Sequence, residues 1–168
     1  MATDKLMPGQ DTRSITCAPG EGRTVRNPVG GSLTFKLRGE QSKGALTAVE
    51  SIAAPGEGPP LHVHVNEDEV LYVLEGTLRL KLEGNIQAAP AGAFAYIPRG
   101  VSHTWQNVGQ TPARILALFT PAAGGMETFF DRFATLPDDA PVPEAFRMLG
   151  SEAGMEVVGP PIAQSDPL

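Results

Sequence analysis

The stretch GEGPPLHVHVNEDEVLYVLEG, Gly56 to Gly76, sets His62 and His64 two residues apart, between a Pro-Pro pair and an acidic run, and ends in an alternating apolar segment. In an extended chain alternate side chains share a face, so His62 and His64 project together and Val63 turns away. The stretch Val65 to Asp68 bends the chain. A second strand is expected from Glu69 to Leu74, with Glu69, Leu71 and Val73 on one face and Val70, Tyr72 and Leu74 on the other. The chain's third and last histidine, His103, lies in a second motif, GAFAYIPRGVSHTWQN, Gly92 to Asn107. It falls on a strand expected from Ser102 to Val108, on the face that also carries Trp105 and Asn107. All three histidines therefore fall where neutral imidazoles and one carboxylate can meet. That donor mix suits one divalent transition metal ion: iron, manganese, nickel, cobalt, copper or zinc. Asp68 competes with Glu69 for the carboxylate place, and Glu67 is a weaker rival. Glu69 is favoured because its spacing continues the inward parity of the strand.

Written as spacings, the first segment is Gly, five residues, His-x-His, four residues, Glu, six residues, Gly, at Gly56, His62, His64, Glu69 and Gly76. It resembles the first motif of the cupin superfamily. The second segment is similar to that family's second motif, at Gly92, Pro98, Gly100, His103 and Asn107. Ala93 departs from it, since many cupins carry Asp there, but that position is not a ligand. The flanking GPP, the EDEVLYVLEG run, a C-terminal FF…F segment and the EVVGPP ending resemble small bacterial monocupins of the quercetin-dioxygenase-like group. The resemblance implies a double-stranded β-helix and a divalent metal held by His62, His64, Glu69 and His103. It also implies a second, catalytic role for Glu69 as acceptor of a substrate hydroxyl proton, a task suited to a carboxylate. The activity it implies is a metal-dependent dioxygenase acting on a small aromatic, flavonol-like or enolic compound. A non-catalytic cupin that binds metal and a small ligand, and a metal-dependent isomerase or lyase, are the alternatives, because function lives in the site rather than the fold.

The rest of the chain fits an all-β architecture. Leu33, Phe35 and Leu37 alternate with Thr34, Lys36 and Arg38, and Leu78, Leu80 and Leu82 alternate with Arg79 and Lys81. Further strands are expected at Ala45 to Ile52, Phe94 to Ile97 and Arg114 to Phe119, with a hairpin turn at Glu83-Gly84-Asn85. Sixteen prolines and nineteen glycines supply turns, and the motif glycines read as turn-formers. After Pro121, Met126, Phe129, Phe130 and Phe133 take helical spacing, and Phe146 and Leu149 mark a second helix. The expected organisation is an irregular arm over 1–31, a barrel over 32–121 and a helical extension over 122–168, forming one domain. Thr47, Val49, Phe94, Tyr96, Trp105 and Phe119 are candidate lining of a pocket beside the metal.

Thirteen basic against nineteen acidic residues give a net charge of −6, with no basic run, which argues against nucleic acid. A single cysteine, Cys17, makes no internal disulfide and is compatible with the cytoplasm. No signal-like apolar core and no membrane-length apolar run is seen, so no membrane is expected. Neither a nucleophile triad nor a phosphate loop is present. The expected partners are a small-molecule substrate or ligand and a second copy of the chain. The homodimer is expected because Val70, Tyr72 and Leu74, with Leu116 and Leu118, make a strand face apolar away from the metal.

Overall fold

The computed structural model describes residues 14–137, 140 and 142–168. The chain enters through β1 (Arg23–Arg26), β2 (Ser32–Leu37) and β3 (Thr47–Ala53), paired in that order. The first motif supplies β4 (Pro60–His64) and β5 (Asp68–Glu75). A hairpin of β6 (Thr77–Leu82) and β7 (Asn85–Pro90) follows, then β8 (Phe94–Ile97) and β9 (His103–Asn107) from the second motif, and β10 (Ala113–Thr120). The C-terminal part contains α1 (Gly125–Ala134), α2 (Val142–Glu152), β11 (Met155–Pro161) and one helical turn, α3 (Ile162–Ser165). The strands form two antiparallel sheets. One has the order β1-β2-β3-β10-β5-β8 and the other β11-β4-β9-β6-β7, the jelly-roll arrangement expected from the sequence.

Alternation in the strands builds the core between these sheets. Leu33 and Phe35 of β2, Val49 of β3, Leu71 and Val73 of β5, Leu78 and Leu80 of β6 and Ile115 of β10 are all buried. Each such side chain taken out of water contributes roughly 1.5–3 kcal/mol. Two close approaches require glycine. A Cβ on Gly58 would stand 1.9 Å from the Trp105 carbonyl oxygen, where the chain enters β4 against β9. Gly76 has φ 88° and lies against Ala113, turning β5 into β6.

Two strands lie outside the expected set. β7, NIQAAP, buries only Ala89, so no bulky alternation betrays it. The sequence reading stops the second helix near Gly150 or Gly154 and leaves GPPIAQSDPL as an irregular tail; instead Met155 to Pro161 pair with β4 at the edge of the five-stranded sheet. Prolines are tolerated there because one side of an edge strand needs no ladder donors. The segment after 121 is thus more than a helical extension, since it also completes a sheet. The span 1–31 contains β1, and residues 1–13 of that span lie outside the described residues.

The C-terminal helices sit over one end of the barrel. α1 buries Met126, Phe129, Phe130 and Phe133, and α2 buries Phe146 and Leu149, the periodic positions read from the sequence. Phe129 packs edge-on against Phe146 with ring centroids 5.1 Å apart. Polar clamps fix the other face of α1: Arg38 donates to Glu127 Oε2 at 3.0 Å and to Asp131 Oδ2 at 2.7 Å, and Arg23 pairs with Asp131. The Gly39 amide and the Thr47 hydroxyl both donate to Glu127 Oε1, each at 2.5 Å. The helix is therefore held by the β2–β3 region while its aromatic face closes the barrel.

Candidate metal centre

β4 brings His62 and His64 to the barrel interior at alternate positions, as strand parity requires. β9 lies beside it, with His62 directly opposite His103 in the register. Glu69 comes from the facing sheet, at the start of β5, with Phe119 and Ile97 as its register partners. All four residues are buried, and their ligand atoms lie within 4.8 Å of one another. The ring centroids of His62 and His103 are 4.2 Å apart, those of His62 and His64 5.0 Å. Glu69 Oε2 stands 2.8 Å from His103 Nε2 and 3.2 Å from His64 Nε2.

The orientation of the rings suits coordination. His62 Nδ1 lies 2.8 Å from the Pro60 carbonyl and His103 Nδ1 3.0 Å from the Val101 carbonyl. Tying Nδ1–H to a carbonyl fixes the tautomer and leaves Nε2 as the donor, the usual arrangement behind a metal-binding imidazole. Electrostatics point the same way. Burial pushes the Glu69 carboxyl up, but hydrogen bonds from His103 and His64 outweigh it and hold the carboxyl well below its ordinary range. Burial, then the neighbouring His103 and His64, keep His62 neutral well below the ordinary imidazole range. His103 moves the other way: burial disfavours its charge, but the hydrogen bond to Glu69 outweighs that and raises it. Three imidazoles and a buried carboxylate fit a divalent ion.

The rival carboxylates have other partners. Asp68 accepts from Arg99 Nε at 2.9 Å, the Arg99 amide at 3.0 Å and the Tyr96 hydroxyl at 3.1 Å, on the outside of the sheet. Glu67 is buried, and its Oε1 accepts the Met126 amide at 3.4 Å, in the first turn of α1. Burial raises the Glu67 carboxyl. Asn107, which closes the second motif, is structural: its amide donates to the Ala53 and Thr111 carbonyls, and its oxygen accepts the Gly109 amide.

A cavity of about 60 Å³ adjoins the cluster, walled by His62, His64 and Glu69 and otherwise largely by apolar side chains. Of the expected lining residues, Val49, Trp105 and Phe119 face it. Phe94 and Tyr96 do not. They pair with Tyr72 and Val70 of β5, the outward positions, and are 65% and 55% exposed. Parity decides this, because Ala95 and Ile97 oppose Leu71 and Glu69 and so take the inward places. Thr47 is buried but is not part of the wall; it is spent on Glu127 of α1. Met155 of β11 lines the cavity, and so do residues that the sequence reading placed on helices: Met126, Phe129 and Phe130 of α1 and Phe146 of α2. Their helical periodicity was visible, but where that face docks is a tertiary fact.

All four residues fall within the part of the chain that matches a known family. Residues 49–119 match the family described as cupin domain. Germin-like protein 1-1 of Oryza sativa subsp. japonica is 31% identical over 140 residues, covering 74% of this chain and 62% of that protein. Tetracenomycin polyketide synthase protein TcmJ of Streptomyces glaucescens is 30% identical over 90 residues, covering 54% of this chain and 60% of that one. The chain thus spans about three fifths of the length of these curated relatives. An RmlC-like cupin from Shewanella frigidimarina superposes with a TM-score of 0.51 at 20% identity, covering 74% of this chain and 96% of the other, a likeness of fold.

Proposed function

We propose that this chain, a member of the cupin superfamily, is a metal-dependent dioxygenase of a small enolic or aromatic compound. The observation that carries the reading is the buried cluster of His62, His64, Glu69 and His103 facing an apolar cavity. When bound, a divalent ion supplies Lewis acidity toward an enolic oxygen and, if redox-active, electrons toward dioxygen. The chain supplies the rest. The three imidazoles hold the ion, and Glu69 serves both as ligand and as acceptor of the substrate hydroxyl proton. In the metal-free protein His103 and His64 hydrogen-bond to Glu69 and hold its carboxyl ionised, the form that a metal ligand and a proton acceptor both need. Val49, Leu71, Ile115 and Phe119 give the space beside the centre apolar walls. A relative named for a polyketide synthase is consistent with an enolisable substrate.

A metal-dependent isomerase or lyase would use the same Lewis acidity on a carbonyl, and a binding protein would use the centre without turnover. Oxygen uptake separates these. Protein with its metal content measured by elemental analysis is offered flavonols, diketones and catechols. Wild type consumes oxygen with at least one of them. Glu69→Asp at matched metal content loses about 10²-fold in rate, because the proton acceptor is displaced by ~1 Å. No uptake by wild type across the panel would favour the binding reading, and equal uptake by both proteins would remove Glu69 as base.

A second subunit on the outer face of the six-stranded sheet belongs to the same proposal. Phe94, Tyr96 and Tyr72 are exposed there, beside half-buried Val70, Leu74, Leu116 and Leu118, and β8 is the free edge of that sheet. A two-fold axis lets one such patch cover its copy.

A further inference from the structure

The cavity beside the metal centre is small. At about 60 Å³ it has room for roughly four water molecules at ~15 Å³ each, whereas an apolar cavity that takes a benzene ring measures about 150 Å³. A substrate with a ring therefore does not fit inside it whole. A larger groove of about 620 Å³ lies outside, between α2, β11 and the turn linking β1 to β2. That is within the roughly 300–1,000 Å³ of small-molecule sites. Pro28, Val29 and Phe146 belong to the walls of both spaces, so these three side chains are the partition between them. The groove is mainly apolar, with Pro143 and Val158 among its walls and Arg147 as its cationic residue.

We propose that this groove is the outer half of the ligand site. It holds the apolar body of a molecule whose small, metal-chelating head passes Phe146 and Val29 into the inner cavity. The inference rests on the metal-centre reading and adds the substrate class: a compact chelating head on a larger apolar body. Phe146 and Val29 then decide how much of the molecule reaches the metal. Both are buried in the partition, at 5% and 9% exposure, whereas Val158 is 53% exposed and stands in the groove alone.

The test uses the cobalt-loaded protein and two hydroxamic acids with the same head, acetohydroxamate and benzohydroxamate. Binding is read from the cobalt visible bands and from the fluorescence of Trp105, the only tryptophan, which lines the inner cavity. Wild type is expected to bind benzohydroxamate about tenfold more tightly than acetohydroxamate, as burial of the ring requires. Val158→Arg fills the groove with a charged chain; it removes that advantage and leaves acetohydroxamate within about twofold. Phe146→Ala opens the partition and speeds binding of both. Should that variant fail to fold, the surface substitution Val158→Arg decides alone. Equal effects of Val158→Arg on the two ligands, or no effect on either, overturn the groove. Binding of acetohydroxamate but not benzohydroxamate also overturns it and leaves the metal centre standing. Failure of metal-loaded wild type to bind either ligand overturns both readings together.

Discussion

Asp68 and Glu69 are adjacent carboxylates at the start of β5, yet they occupy different worlds. Glu69 turns into the barrel, where imidazoles are its hydrogen-bond partners, and Asp68 turns out, where the Arg99 guanidinium and amide and the Tyr96 hydroxyl hold it. Both carboxyls are held below the ordinary range by hydrogen bonds, against very different burial costs. For Asp68 the bonds from Arg99 act almost unopposed at the surface. For Glu69 they must first overcome a burial that by itself would protonate the group. A buried anion that survives this way is sensitive to the loss of any one partner, whereas a surface anion is not. The inner face is thus built to meet a cation, and the outer face is built from pairs that solvent can replace.

The largest effect should follow from breaking the inner set. Replacing His62 and His64 together by Ala removes two of four donors and is expected to abolish metal retention, read by elemental analysis after dialysis. Asp68→Asn should keep full occupancy. Full occupancy in the double variant would sink the assignment. A second test uses the proton that Glu69 holds on His103. Its raised imidazole is charged in the metal-free protein above the ordinary value of 6.5, and a ligand must be neutral. Metal binding near pH 6.5 should therefore release protons, and affinity should fall as pH falls. Calorimetry in two buffers of different ionisation enthalpy reads this directly, and no proton release would mean that His103 is not a ligand.

The inner face was legible because its signals are local. His62 and His64 at alternate positions, and His103 between Pro98 and Asn107, need only strand parity and family spacing to be placed, and the cluster formed where they predicted. The outer assignments failed where parity had to be carried across strands. Phe94 and Tyr96 look like pocket aromatics in isolation, and only their register with Tyr72 and Val70 shows that they face out. β11 was hidden for another reason: Gly159, Pro160 and Pro161 read as a tail until the edge of β4 is there to receive them. The cavity wall from α1 and α2 was legible as an apolar stripe but not as a wall, since docking of that stripe depends on contacts such as Arg38 with Glu127 and Asp131.

The outer aromatics give a third, intermediate test. If Phe94, Tyr96 and Tyr72 cover a second copy, Phe94→Glu and Tyr72→Lys together should convert a dimer into a monomer at micromolar concentration in sedimentation velocity. Metal content should not change, because both positions are on the face away from Glu69. A wild-type monomer at that concentration would refute the interface.

The smallest effect belongs to Asp68 itself. Its folded carboxyl is lowered from 3.8 to about 2, by the Arg99 side chain first and then by the Arg99 amide. A depressed carboxyl contributes stability that is present above its unfolded value and is lost as pH falls through the folded one. The contribution is therefore complete above about pH 4 and gone near pH 2. Asp68→Asn keeps an oxygen for the Arg99 amide but loses the charge, so the variant should be slightly less stable than wild type at pH 5. The two urea midpoints should then converge between pH 4 and pH 2. Because the pair is exposed, the gap at pH 5 should be small and should shrink further in high salt. A gap that persists unchanged to pH 2 would show that the Asp68 charge contributes nothing, and that the difference between the faces lies in packing alone.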